Sequence, residues 1–220
     1  MTYKQGMTDV KILAEARAVR EPGKRMRSRL LDAAVTLFKA KGLTAVSVAE
    51  IAKAAGAYPS QVTYYFRTKE ALFVEAACRE VLYVARQAEA AAAGAATGSA
   101  YNRRLVETVI GSPGLALFVE ALSLTRRRQD LAPLVERTFE RLHAEGDRAY
   151  GDVRKARGWS GPESTATVAR RFWTLALGVA LREGATDATV ADAIEEMTAL
   201  LRTAPAHREP AANDKPMGDA

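Results

Sequence analysis

The side chains best suited to nucleophilic catalysis or transition-metal binding near neutral pH are two histidines and one cysteine in a chain of 220 residues. His143 falls in an expected helix and His207 in an expected tail, so spacing pairs no nucleophile with a base. No HExxH, GxSxG, P-loop or GxGxxG pattern occurs. Cys78 alone makes neither an internal disulfide nor a multi-cysteine zinc site, and at helical spacing it reads as a small core residue. The expectation is therefore a protein that is not an enzyme, uses no metal or cofactor, and works in a reducing cytoplasm.

Lysine and arginine offer a different chemistry. Residues 1–70 carry 13 Lys and Arg against 6 Asp and Glu, whereas residues 71–220 carry 19 against 20. All of the excess positive charge lies in the first third of the chain. Cationic side chains gain affinity for a polyanion by displacing counterions from phosphates, so this asymmetry points to a nucleic-acid-binding head on a nearly neutral body.

The elements that must position such a head are helices. Ala, Leu, Arg and Glu dominate, alternating runs are missing, and the fold class is all-α. Residues 1–24 form a basic arm, part helical around residues 8–20 and stopped by Pro22-Gly23. A first long helix begins near Lys24, with Leu30, Ala34, Leu37 and Phe38 on one face, and Gly42 supplies its stop. Ser47 and Glu50 form an S-x-x-E capping box ahead of Val48, Ile51, Ala52 and Ala55. Gly56 ends that short helix. Pro59 suits the first position of the next, which carries Val62 and Phe66 four apart. Two short helices about a glycine-containing turn, braced by a longer one, make a helix-turn-helix over residues 47–66, whose second helix can enter a DNA major groove.

Thr68 caps a fourth helix that runs into an Ala-rich stretch, and residues 94–99 read as a loop. Further helices are expected at about 101–110, 113–127, 130–157, 162–183 and 187–202, with Gly146 and Gly151 weakening the third of these enough to kink or split it. Residues 204–220 are expected to be disordered. The longest uncharged stretches, such as residues 90–102, are shorter than the ~18 residues that a membrane-spanning helix needs. The N-terminal residues carry Lys4, Asp9, Lys11 and Glu15 with no apolar segment, so neither membrane association nor a secretory signal is expected.

Residues 27–73, RSRLLDAAVTLFKAKGLTAVSVAEIAKAAGAYPSQVTYYFRTKEALF, resemble the DNA-binding domain of the TetR family of bacterial transcriptional regulators. The carrying pieces are LLDAAVTLF ahead of Lys41-Gly42, SVAEIAKAAG, the aromatic TYYF, and TKEAL. The resemblance implies a DNA-binding domain over residues 25–84 and a helical effector-binding and dimerisation domain over residues 85–203. It implies DNA contacts from Ser47 and Val48, from Pro59, Ser60, Gln61, Thr63 and Tyr64 on the recognition helix, and from Lys69 to the DNA backbone. Gln61 has the amide needed to pair with adenine, and the hydroxyls of Thr63 and Tyr64 suit phosphate oxygens. Three positions depart from the family pattern: Tyr58 where Ser or Thr often caps, Thr63 where Tyr is frequent, and Tyr65 where His is frequent.

Toward the C-terminus, Val168, Phe172, Leu175 and Val179 form one apolar stripe, and Val190, Ile194, Met197 and Leu201 another. Ala176, Gly178 and Ala180 would permit close approach. These stripes fit either one internal core or an interface with a second copy, and the resemblance implies the homodimer, with two recognition helices one DNA turn, or a multiple of it, apart. Phe118, Phe139, His143 and Trp173 are the candidate lining of an effector pocket, with Trp159 another aromatic of the same helices. The resemblance thus implies a homodimeric repressor on a palindromic double-stranded operator, released by a small-molecule effector. A DNA-localised protein-interaction factor with weakly specific DNA binding is the alternative.

Overall fold

The structure, a computed structural model, describes the backbone of residues 3–203 and the side chains of residues 22–202. Among the described residues there are nine α-helices, one short 3-10 turn and no strand. The helices are α1 Tyr3–Ala45, α2 Val48–Ala54, α3 Pro59–Phe66, α4 Lys69–Ala92, α5 Gly98–Ile110, α6 Pro113–Thr125, α7 Ala132–Arg157, α8 Thr165–Glu183 and α9 Val190–Thr203. The expected disorder of residues 204–220 lies outside the described residues.

The chain divides into two compact units, Met1–Ala76 and Ala77–Ala220. The division falls inside α4, earlier than the expected residue 85. The reason is local packing: a Cβ added to Gly114 on α6 would lie 2.8 Å from Glu80 Cγ and 2.9 Å from Val84 Cγ2, so this stretch of α4 is packed with the second unit.

In the first unit, α1 continues through Pro22 and Gly23, where a stop was expected. A proline forfeits one intrahelical hydrogen bond, and the Ala-, Glu- and Arg-rich residues on either side are strong enough helix formers to carry the helix past it. Gly42 does break the helix, at φ 75° and ψ 172°. The face of α1 built from Leu30, Leu31, Ala34, Val35 and Phe38 is buried, as are Val46, Ile51, Ala52, Val62, Phe66, Leu72 and Phe73. Phe38 meets Phe73 edge to face with ring centres 5.1 Å apart. Each of these rings contributes about 1.5 to 3 kcal/mol by leaving water.

In the second unit, α7 packs along α8, and α9 against α5 and α8. Thr97 caps α5 by accepting the Ala100 N–H at 3.1 Å, so the helix starts ahead of the expected residue 101. Ser164 caps α8, and Thr189 with Asp192 forms a reciprocal cap at α9. Both helices begin three residues later than the expected 162 and 187, because the capping side chains sit there. The anticipated kink in α7 is absent: the helix runs unbroken from Ala132 to Arg157. Gly146 is explained by close packing, since a Cβ there would lie 3.0 Å from Ala169 Cβ on α8.

Candidate nucleic-acid interface

The helix-turn-helix is fastened by its caps. The Ser47 N–H donates to Glu50 Oε2 at 2.8 Å, and the Glu50 N–H donates to Ser47 Oγ at 3.1 Å. Lys41 Nζ donates to the other carboxylate oxygen at 3.0 Å. The Ser47 backbone N–H, then the Lys41 ammonium and the Ser47 hydroxyl, hold the Glu50 carboxyl at about 2, well below its ordinary 4.5. At the other end of α2, Arg29 Nη2 donates to the Ala55 carbonyl. Gly56 follows with φ 61°, and a Cβ there would lie 2.6 Å from Arg29 Nη2. The turn therefore needs glycine for its positive-φ backbone, and the Arg29 guanidinium occupies the space beside it.

Helix α3 is pinned by Val62 and Phe66, which are buried, and this turns Ser60, Thr63 and Tyr64 outward. Tyr64 is 80% exposed. Pro59 and Ser60 are exposed at the N-terminal end, and Val48 is half-buried at the start of α2. A short helix with one buried edge, one open edge and exposed Lys53 and Arg67 nearby in sequence is built to lie against a polyanion.

Three of the expected contact residues carry structural duties, of which the sequence disclosed only the Ser47 cap. Ser47 spends its hydroxyl on Glu50, donating to Oε2 at 2.9 Å. Gln61 uses its amide oxygen to accept the Tyr58 N–H at 3.0 Å, which takes one of that oxygen's two acceptor sites. Lys69 donates from Nζ to the carbonyls of Leu43 at 2.9 Å and Val46 at 3.0 Å, closing the turn between α1 and α2. Its remaining ammonium proton is available to a phosphate. Thr63 is exposed, with its hydroxyl directed to the Pro59 carbonyl at 3.5 Å.

In the second unit, a cavity of about 50 Å³ is lined by Tyr101, Leu105, Phe172 and Trp173, together with the carboxylates Glu89 and Glu145. Of the four candidate effector-pocket residues, Trp173 is in its lining, and Phe118, Phe139 and His143 are not among the residues around it. Those three form a separate aromatic row, with Phe118 to Phe139 at 5.6 Å and Phe139 to His143 at 5.9 Å between ring centres. Phe118 is fully buried, so it is core. Burial, and then Arg170, holds the His143 imidazole below its ordinary value. Burial, and then the Glu89 charge, pushes the Tyr101 phenol up to about 12, while Tyr150 is raised further and donates to Asn102 Oδ1 at 3.0 Å. Both phenols are thus neutral hydrogen-bonding groups at the cavity wall.

The expected dimer stripes also require correction. Val168, Phe172, Val179 and Met197 are buried within the chain itself, at 9%, 4%, 5% and 0% exposure, so their burial needs no second copy. Leu175, Ile194 and Leu201 are half-buried. The apolar side chains that α8 and α9 do expose are Leu181, Val190 and Leu200. A stripe at helical spacing reports that a face is buried, not what buries it.

Comparison with known proteins covers both units. Residues 30–76 match the profile of bacterial regulatory proteins of the tetR family, and residues 98–202 match that of a bacterial transcriptional repressor C-terminal domain. A solved structure from Rhodococcus sp. RHA1, provisionally named a transcriptional regulator, is 35% identical over 81% of this chain and 94% of its own, with a TM-score of 0.71. The fatty acid degradation regulator FadR from Bacillus halodurans shares the fold at 17% identity, covering 83% of this chain and 97% of that one with a TM-score of 0.60. The HTH-type transcriptional regulator AcrR of Shigella flexneri is 37% identical over 60 residues, which is 27% of this chain and 28% of that protein. The match thus spans just over a quarter of that relative's length.

Proposed function

The chain belongs to the tetR family of bacterial regulatory proteins, and from that membership we propose that it represses transcription as a homodimer seated on a two-fold-symmetric operator. The observation that carries this reading is the open face of α3, held outward by buried Val62 and Phe66 in the unit that carries the chain's excess positive charge. A second copy related by a two-fold axis presents a second α3, and a spacing of about 34 to 36 Å sets the pair in successive major grooves. Leu181, Val190 and Leu200 are the exposed apolar residues of α8 and α9 that such a pairing would cover. The protein acts in the cytoplasm, where its operator is, and among the described residues no single helix is long and apolar enough to cross a membrane.

Release from the operator is by a small effector that binds in the second unit. Its cavity, at about 50 Å³, holds a few waters, so a ligand of ordinary size enters only as the lining side chains move. Aromatic and aliphatic walls favour a flat apolar molecule, because the two carboxylates of the lining, Glu89 and Glu145, are already paired with Arg148 and Arg141. Such an effector prefers a state of the dimer whose recognition helices are misspaced, and operator affinity falls by the coupling free energy.

The test is capture of random genomic fragments on the purified chain across a salt series, followed by sequencing. A narrow palindromic set that survives moderate salt supports the reading. A broad set lost at modest salt would mean binding to the backbone alone and would sink it. Effectors are then sought among neutral aromatics by loss of operator binding.

A further inference from the structure

Tyr58 immediately precedes α3, at the position where a short hydroxyl, amide or carboxylate side chain ordinarily takes a free backbone N–H of the first turn. Its phenol makes no such hydrogen bond. The end of the helix is secured by its neighbours instead. Gln61 reaches back to accept the Tyr58 N–H at 3.0 Å, and Pro59 at the first helical position has no N–H to satisfy. Capping has thus passed from residue 58 to residue 61.

The exchange has two consequences for DNA reading. Bidentate pairing with adenine needs both the oxygen and the nitrogen of the Gln61 amide, and one of the oxygen's two acceptor sites is already taken by the Tyr58 N–H. Meanwhile Tyr58, relieved of capping, is 76% exposed. With Tyr64 at 80%, it is one of the two most exposed large apolar side chains among the described residues, and both belong to α3 and its entry. A ring left in water gives up the burial free energy it would gain against a partner. The N-terminal end of a recognition helix is also the end that approaches base edges.

We propose that Tyr58 reads sequence directly, packing its ring against the C5-methyl group of a thymine in the major groove, while Gln61 acts as the cap that holds this end of α3 in place. The proposal rests on the operator-binding reading above, and it gives the specificity of one base pair in each half-site to a residue outside the expected contact set.

The experiment begins with an operator enriched from random DNA by the full-length parent protein. Each thymine is then replaced, together with its symmetry mate, by deoxyuridine, which removes only the methyl group. Affinities are measured for the parent, Y58F and Y58S. The expected result is one thymine position at which the replacement weakens the parent and Y58F about fivefold or more and leaves Y58S unaffected. Y58S is expected to bind unrelated DNA like the parent and to melt at or above it, because serine supplies an ordinary cap. Identical deoxyuridine profiles for the parent and Y58S would overturn the proposal. So would an equal weakening of Y58S on operator and unrelated DNA, which would make Tyr58 a phosphate contact, and so would a clear drop in Y58S melting temperature, which would make the phenol structural. Failure of the parent to enrich any operator would instead remove the reading on which the proposal stands.

Discussion

The Arg27 guanidinium lies 4.9 Å from the centre of the Phe66 ring while its Nη2 donates to the Glu75 carboxylate at 2.5 Å. One side chain of α1 thereby touches the last residue of the recognition helix and the second turn of α4. The sequence announces this poorly, since an arginine on the polar side of an amphipathic helix reads as a solvated charge.

Replacing Arg27 with alanine should lower the stability of the first unit by about 1 kcal/mol, the sum of a half-exposed cation-π contact and a half-exposed ion pair. Arg27→Lys should recover the ion pair but little of the stacking. Operator affinity should fall with both variants, more steeply for alanine, because α3 loses a lateral support. Chemical denaturation beside operator titrations checks this, and a R27A variant as stable as the parent would show that the contact contributes nothing net.

Lys69→Met should be costly in a way that a purely DNA-facing lysine would not be. It removes both hydrogen bonds to the Leu43 and Val46 carbonyls, and bonds to a charged donor contribute about 1.5 to 3 kcal/mol each when removal leaves the partner unsatisfied. Half-exposure of the site lets water replace some of this, so a loss of about 2 kcal/mol is expected. If the third ammonium proton meets a phosphate, the slope of log affinity against log salt should also fall by about 1. Melting curves without DNA separate the first effect from the second.

Glu50 gives the helix-turn-helix a pH dependence whose sign is fixed. Its folded-state value of about 2 lies below its ordinary 4.5, so the carboxylate's stabilisation is complete above pH 4.5 and is lost as the pH falls toward 2. Glu50→Gln keeps an acceptor for the Ser47 N–H but gives up the charge that Lys41 faces. The variant should melt below the parent at pH 7, and the gap should close across that acid window. A gap that is constant with pH would mean that the charge plays no role.

Much of this fold is legible in the sequence because it is written in local signals. Gly42, Ser47 with Glu50, Gly56, Pro59 and Ser112-Pro113 are each read correctly as boundaries, since caps and positive-φ glycines act within a few residues. Pro22 misleads because propensity on both sides outweighs one lost hydrogen bond. The role of Gln61 is hidden because its capping depends on a Tyr58 that does not look like a cap. Phe172 and Met197 mislead for another reason: their periodicity is the same whether the partner helix is in the same chain or in a second copy. Cavity residues such as Tyr101 and Glu89 are set by which helices cross, and no spacing along the chain reports that.

The corrected assignment of α8 and α9 separates two kinds of variant. Phe172→Glu puts a charge into the chain's own core at a site that is 4% exposed, and it should destabilise the fold of the second unit by several kcal/mol, beyond any effect on association. Leu181→Glu changes a residue that is 58% exposed and should leave the single chain folded while shifting sedimentation from dimer toward monomer and weakening operator binding. An L181E protein that sediments as the parent does would put the interface on other helices.

The two glycines of α7 should respond oppositely to alanine, although both lie inside one unbroken helix and both gain the same intrinsic preference of about 1 kcal/mol. At Gly151 an added Cβ meets nothing within 4 Å, so Gly151→Ala should keep most of that gain. At Gly146 the added Cβ would sit 3.0 Å from Ala169 Cβ, tighter than ordinary contact, and Ala169 lies on the backbone of a packed helix that cannot rotate away like a long side chain. Pushing α7 away from α8 costs about 1 to 3 kcal/mol, which cancels or exceeds the helix gain. Gly146 also lines the cavity, so Gly146→Ala should alter effector response at unchanged operator affinity, whereas Gly151→Ala should alter neither. Equal stabilisation of both variants in denaturant titrations would show that the α7 and α8 contact is looser than 3.0 Å implies.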